Sequence, residues 1–275
     1  MTITFIENDG GKVAVEVEGE GPLVVCSPGL GDTREAYAPL AQQLVAAGYR
    51  VARMDLRGHN DSTPTFSRYG DEASADDILK VVETLGGGPV VLAGASMSAA
   101  ACTIAAGRRP DQIAGIILIG PFLRNGASAI VRWLLHFAFY RPLGPYLWRS
   151  YAATLWPGLG DKAKERAAST TALLQRPGYW SAFHASTTVD HSIVAPYISK
   201  VKAAVLVVIG DADPDWTDPL AEAKWVASNF TDVDTVTVQG AGHAPQYERP
   251  EIVSPAVLEF LQKIRTGTTF KMPSA

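Results

Sequence analysis

One stretch of the sequence reads Pro89-Val-Val-Leu-Ala-Gly-Ala-Ser-Met-Ser-Ala99, and it predicts a buried strand that turns directly into a helix. The run over 89–93 is apolar and β-branched, whereas the run over 99–109 is rich in alanine. So tight a corner would hold Ser96 in a strained conformation at the helix N-terminus, with Gly94 allowing strand and helix to approach. The helix dipole there favours negative charge beside an exposed serine. The stretch predicts a nucleophile, although a strand–helix junction without chemistry shares this local pattern.

Composition and charge restrict the class of protein. The 275 residues suit one large α/β domain or one domain with an insertion, and 47% hydrophobic residues indicate a sizeable core. The net charge of −4 suggests no nucleic-acid or membrane partner. Cys26 and Cys102 lie in apolar segments, which predicts free buried thiols and no metal site. The first residues lack a signal-peptide pattern, so a cytoplasmic protein is expected.

Strand and helix patterns alternate along most of the chain. This alternation predicts parallel strands joined by right-handed crossovers. Strands are predicted over 2–7, 12–18, 23–27, 49–55, 89–93, 113–120, 203–210 and 233–238, and helices over 34–47, 72–85, 99–109, 218–230 and 251–265.

The pattern changes between residues 122 and 196, where strand signals disappear and aromatic residues are frequent. Helical spacing there is interrupted by Pro and Gly, which predicts a helical insertion covering the carboxyl edge of the sheet. Most of its aromatic residues are expected to form the insertion's own core. The residues assigned to a substrate pocket are Gly29, Phe122, Trp133, Phe137 and Trp180.

Three further features are predicted at the same sheet edge as Ser96. The acidic residues Asp211 and Asp213 directly follow the strand that ends at Gly210, and His243 follows the next strand. The Gly-rich loop 28–32 also follows a strand. A serine hydroxyl needs a base to take its proton, a carboxylate to orient that base, and backbone amides to bind the oxyanion. The amides of Leu30 and Met97 are the expected donors.

These pieces together resemble the α/β-hydrolase superfamily over almost the whole chain. The resemblance implies an α/β-hydrolase fold: a mostly parallel, eight-stranded twisted sheet flanked by helices, with a core of 1–121 and 197–275 and a helical lid over 122–196. The matching motifs are Pro-Gly-Leu-Gly (28–31), Asp-Leu-Arg-Gly-His-Asn-Asp-Ser (55–62), Gly-Ala-Ser-Met-Ser (94–98), Gly-Asp-Ala-Asp (210–213) and Gly-Ala-Gly-His-Ala-Pro (240–245).

The chain departs from the usual family pattern at three positions. Pro28 stands where a histidine is common, Asn60 replaces a glycine, and Ser98 replaces the last glycine of the Gly-x-Ser-x-Gly elbow. The Ser98 side chain is either merely tolerated at this position, or its hydroxyl forms a hydrogen bond near the elbow. A Gly-x-Ser-x-Ser elbow is similar to that of family members that act as signal receptors or regulators, such as the plant strigolactone receptor.

The resemblance implies that Ser96 is the nucleophile, Asp213 the acid and His243 the base. The acids at 211, 215 and 218 remain alternatives to Asp213, and position 218 also suits a helix N-cap. His59 is assigned a structural role. The other three histidines, at 136, 184 and 191, belong to the insertion, where one could line the pocket.

The sequence predicts a serine hydrolase that cleaves a small, fairly apolar carboxylic ester or lactone through an acyl-enzyme. We expect no cofactor and no metal, a small-molecule partner only, and a monomer or homodimer. A ligand-sensing receptor with slow hydrolysis, or a carbon–carbon bond hydrolase, is the alternative. The serine nucleophile speaks against epoxide hydrolase and dehalogenase chemistry, which use aspartate.

Overall fold

A single sheet runs through the centre of the computed structural model, which describes residues 3–86 and 88–267. Position 2 of the first predicted strand and positions 268–275 of the predicted core lie outside the described residues. The sheet contains eight strands, and their number and mostly parallel pairing agree with the prediction. In chain order the strands are β1 (Ile3–Asn8), β2 (Gly11–Glu18), β3 (Leu23–Ser27), β4 (Arg50–Met54), β5 (Val90–Ala95), β6 (Ile113–Ile119), β7 (Ala204–Gly210) and β8 (Val233–Val238).

The strand order across the sheet is β1-β2-β4-β3-β5-β6-β7-β8. β2 pairs antiparallel with both β1 and β4, and all further neighbours pair parallel. The carboxyl ends of β3, β5, β7 and β8 therefore meet at one edge of the sheet. Because every predicted catalytic residue follows one of these strands, the topology brings them to that edge.

Helices account for most of the remaining described residues. The helix predicted over 34–47 is divided into a 3-10 turn, Arg34–Tyr37, and an α-helix, because Pro39 lacks an amide hydrogen and is suited only to a first turn. The α-helices are α1 (Ala38–Ala46), α2 (Asp71–Leu85), α3 (Met97–Arg108), α4 (Ala129–Ala138), α5 (Gly144–Ala152), α6 (Lys162–Leu174), α7 (Tyr179–Ser186), α8 (Ala195–Ile198), α9 (Pro219–Ala227), α10 (Pro245–Glu248) and α11 (Pro250–Thr266).

Both faces of the sheet are covered. Leu23 and Val25 of β3 pack into the hydrophobic core formed with α2, α3 and α9, whereas Val24 and Cys26 pack into the core formed with α1 and α11. Burial on both faces explains why the parallel strands are continuous apolar runs. Cys26 and Cys102 are buried free thiols, as predicted.

Between β6 and β7 the chain forms α4 to α8 and two 3-10 helices, Pro157–Leu159 and His191–Val194. This segment has a hydrophobic core of its own, which includes Trp148, Trp156 and Phe183. Within the described ranges, no helix of the chain is both long and apolar enough to span a membrane.

Candidate active site

Ser96 lies in the corner between β5 and α3, where the chain passes from strand to helix within one residue. Its φ of 56° and ψ of −124° are rarely adopted by residues other than glycine. The corner is tight: a Cβ built on Gly94 would lie 2.3 Å from the carbonyl oxygen of Ser98. The Ser96 amide donates to the Ile119 carbonyl at 2.8 Å. Neighbouring backbone thus holds the strained residue, and its side chain is only partly buried.

A cavity of about 370 Å³ lies beside Ser96. Its wall combines the corner after β5, the loops after β3, β7 and β8, and the helical segment between β6 and β7. Of the predicted site residues, those on this wall are Gly29, Leu30, Ser96, Met97, Phe122 and His243.

His243 is hydrogen-bonded to a buried carboxylate. Its Nδ1 lies 2.8 Å from Oδ2 of Asp213, and both side chains are almost fully buried. The His243 amide donates to the carbonyl of Leu155, which positions the loop after β8 against the helical segment. Within the described residues no hydrogen bond joins the Ser96 hydroxyl to His243, and in serine hydrolases such a bond often tightens only when substrate binds. With Nδ1 engaged, Nε2 is the atom left for proton transfer.

A second carboxylate also faces Nδ1 of His243. Oδ2 of Asp215 is 3.2 Å away, and Tyr151 of α5 donates its hydroxyl to the other oxygen of Asp215. Burial lowers the pKa of His243, but Asp213 and Asp215 outweigh burial and raise it above the usual value. Burial also raises the pKa of Asp215. The ligand atoms of these three residues lie within 4.8 Å of one another, so the cluster could also hold a metal ion.

The loop after β3 contacts Ser96 directly. A Cβ built on Gly29 would lie 2.9 Å from Cβ of Ser96, so only glycine fits there without a shift. The amide of Gly31 donates to Nε2 of His59 at 3.1 Å. Burial lowers the pKa of His59 to about 4, which keeps this ring a neutral acceptor. The structural role predicted for His59 is thus to hold the loop that carries Leu30.

Ser98 connects the corner to the same loop. Its hydroxyl donates to the carbonyl of Pro28 at 2.6 Å and lies 2.9 Å from the hydroxyl of Ser27. Because Ser98 has one hydroxyl proton, Ser27 must be the donor in the second bond. Of the two possibilities left by the sequence, the structure shows the hydrogen-bonded one.

Removing this hydroxyl should destabilise the protein. Ser98→Ala leaves a buried carbonyl and a buried hydroxyl without their partner, so the free energy of unfolding should fall by about 1–3 kcal/mol. Urea unfolding measures the change. Thr103→Val on the same helix is the control, because among the described residues the Thr103 hydroxyl bonds only to the Ala99 carbonyl of its own helix. Equal losses in the two variants would contradict a special role for Ser98.

Three residues assigned to the pocket from the sequence do not line the cavity. Trp133 and Phe137 lie on the outer surface of α4, with 60% and 50% of their surface exposed. Trp180 is 4% exposed and donates its indole N–H to the carbonyl of Phe139 within the core of the helical segment. The prediction was wrong for these residues because helical spacing shows that a helix has an apolar face but not what covers that face.

Sequence reasoning did not assign the roles of three residues that shape the site. Asp215 was considered as an alternative to Asp213, not as its companion. Glu248 accepts the backbone amides of Gly242 and Ala244, on either side of His243. His191 is paired with Asp71, which is 120 positions away. The sequence contained a signal for Asp215, which lies two residues after the predicted acid, and for His191, one of three histidines considered for the pocket.

Comparison with known proteins agrees with this architecture. The 2-(acetamidomethylene)succinate hydrolase of Mesorhizobium japonicum is 26% identical over 92% of this chain and 93% of the relative. The (E)-2-((N-methylformamido)methylene)succinate hydrolase of Acinetobacter baylyi is 25% identical over 89% and 92%. A thermophilic esterase from Thermogutta terrifontis superposes with a TM-score of 0.82 over 96% of this chain and 99% of its own, at 23% identity, a likeness of fold alone.

A model of the alpha/beta hydrolase family matches residues 24–256, which run from β3 into α11. This range includes the strained corner, the loop that contacts it and the strands before Asp213 and His243. The chain therefore belongs to the α/β-hydrolase family.

Proposed function

We propose that this hydrolase cleaves a small, fairly apolar carboxylic ester or lactone through Ser96, His243 and Asp213. One observation carries the proposal: a serine in a strained corner shares a cavity wall with a histidine whose Nδ1 is bonded to a buried aspartate. A free serine hydroxyl is a weak nucleophile, and an adjacent base held by a carboxylate is the standard way to activate it.

The proposed reaction has two halves. Oγ of Ser96 attacks the carbonyl carbon while Nε2 of His243 takes the hydroxyl proton, and the amides of Leu30 and Met97 bind the resulting oxyanion. Collapse breaks the ester bond, and the leaving alcohol takes the proton from His243. Water then attacks the acyl-enzyme with His243 again as base, which releases the acid and regenerates Ser96. These steps use side chains, amides and water alone.

The size and lining of the cavity are evidence for a substrate with a small, fairly apolar acyl or alcohol group. Its volume is within the usual range for small-molecule sites. The names of the two curated relatives give substituted succinates as their substrates, which supports hydrolysis of a small acid derivative. The apolar side chains on the wall include Phe122, Leu135, Phe139, Trp148, Leu155 and Trp156.

Residues 122–196 are proposed as a lid on a core of 1–121 and 197–275. The separate hydrophobic core of this segment and its share of the cavity wall support the division. A cytoplasmic monomer or homodimer stays a prediction.

A ligand-sensing role is the second candidate. Helix α4 has no buried side chain and exposes Ile130, Trp133 and Leu134. An exposed apolar surface of this kind marks interaction sites in many proteins. A receptor would turn over slowly and change its lid on binding, so the turnover rate distinguishes the two functions.

Two measurements test the proposal. Hydrolysis of p-nitrophenyl esters of increasing acyl length should show turnover of about 1 per second or faster, with an optimum set by the cavity. A fluorophosphonate should add covalently to Ser96, detected by mass spectrometry of the digested protein. Labelling without turnover would favour the receptor, and the absence of both would reject a working serine hydrolase.

A further inference from the structure

A second histidine–aspartate pair lies at the same cavity and takes no part in the proposed triad. Nδ1 of His191 is 2.9 Å from Oδ2 of Asp71, the first residue of α2. The Asp71 carboxylate is fully buried, and its other oxygen has no hydrogen-bond partner among the described residues. Burial raises the pKa of Asp71, and the His191 ring opposes this effect. The buried carboxylate therefore depends on His191 for compensation.

The rings of His191 and His243 both contact one aromatic ring, that of Phe122. The Phe122 ring is 5.3 Å from the ring of His191 and 5.8 Å from that of His243, measured between centroids. His191 lines the cavity, whereas Asp71 is not on its wall. Since Nδ1 faces Asp71, Nε2 is the nitrogen available to a bound molecule.

Arg132 is also paired with an acid that is not on the cavity wall. The arginine lines the cavity, and its Nη2 lies 3.5 Å from Oδ2 of Asp190, which is exposed and is not on the wall. Asp190 already accepts from Asn125 and from the amide of Ser192. At this end of the cavity, His191 and Arg132 are on the wall, whereas the carboxylates paired with them, Asp71 and Asp190, are not.

The acids that do line the cavity are engaged elsewhere. Asp32 accepts a close bond from Arg166, and Asp215 faces His243. Within the described part of the chain, the His191 end of the wall therefore presents two basic side chains and no carboxylate.

We infer that His191 and Arg132 form a subsite for a carboxylate group of the substrate, one aromatic ring away from His243. The inference rests on the proposed function and narrows it to esters that carry a carboxylate. Arginine binds carboxylates through charge-assisted hydrogen bonds, and an N–H at Nε2 of His191 donates a further hydrogen bond to the same group. The aromatic and aliphatic wall then holds the chain between the two groups.

Matched substrates test this subsite. Mono-p-nitrophenyl esters of glutaric, adipic and pimelic acid are compared with uncharged p-nitrophenyl esters of the same chain length. The wild type should show a higher kcat/KM for at least one charged ester. His191→Gln and Arg132→Gln should each reduce that kcat/KM about tenfold through KM, and change the uncharged ester less than about twofold.

The controls separate this inference from the proposed function. His184→Gln removes a lid histidine that is not on the cavity wall and should leave the preference unchanged. Activity on the uncharged esters reports that each variant is folded. If the wild type hydrolyses uncharged esters but shows no preference, or if the variants lose both activities equally, the subsite is rejected while the serine hydrolase stands. The absence of both ester turnover and fluorophosphonate labelling in the wild type would instead reject the proposed function.

Discussion

Replacing Ser96 by alanine is expected to lower kcat by roughly 10⁴-fold or more, because the variant has no oxygen to attack the carbonyl. Alanine can adopt the strained backbone conformation at about the same free-energy cost as serine. Gly94 and the Ile119 carbonyl still hold the corner in place. The protein should therefore fold and bind ester while losing turnover. Hydrolysis of the best p-nitrophenyl ester, with thermal unfolding in parallel, measures both.

The second serine of the corner is the matched control. Ser98 is buried and commits its hydroxyl to Pro28, so Ser98→Ala should retain activity within about tenfold, a barrier change of about 1.4 kcal/mol. A Ser96→Ala protein that kept more than a tenth of the wild-type rate would show that Ser96 is not the nucleophile.

The two carboxylates on His243 should respond differently to amide substitution. Asp213→Asn is expected to lower kcat by about 10⁴-fold, because an amide at the 2.8 Å contact favours the wrong tautomer of the ring. Asp215→Asn should retain kcat within about tenfold, because Asp213 still orients the ring. A reversed ranking would identify Asp215 as the catalytic acid.

The pH dependence of kcat/KM should distinguish them further. His243 acts as a base only when it is neutral, so activity is lost as pH falls through its pKa. The charged groups that face it, Asp213, Asp215 and Glu248, raise that pKa above the usual value. Asp215→Asn removes one of them and should move the acid limb of the profile by roughly 1 pH unit to lower pH.

Asp211 provides the control for this shift. It follows β7, as Asp213 and Asp215 do, but accepts the amide of Gly240 at the exposed surface instead of facing His243. Asp211→Asn should leave the acid limb in place. An unchanged limb in Asp215→Asn would mean that the second carboxylate does not influence the base.

Much of the fold was predictable because the information is local. The apolar run before Gly94 and the alanine-rich run after Ser98 each indicate one element, and a parallel sheet must bring the ends of its strands to one edge. That rule alone predicts that residues following β3, β5, β7 and β8 gather there, as they do. The roles of Ser96, Asp213 and His243 in catalysis remain predictions that the variants above test.

What the sequence alone determined is the order of strands and helices and the edge at which its polar loops gather, because hydrophobic periodicity and turn residues act over a few positions. Only the tertiary structure decided that α4 turns Trp133 outward, that Asp215 shares His243 with Asp213, and that His191 pairs with Asp71. Each of these depends on how distant segments pack, since a pattern of apolar residues does not specify its neighbour. His191 and Asp71 are 120 positions apart, and their hydrogen bond forms because the packing of the sheet and helices brings the two residues together.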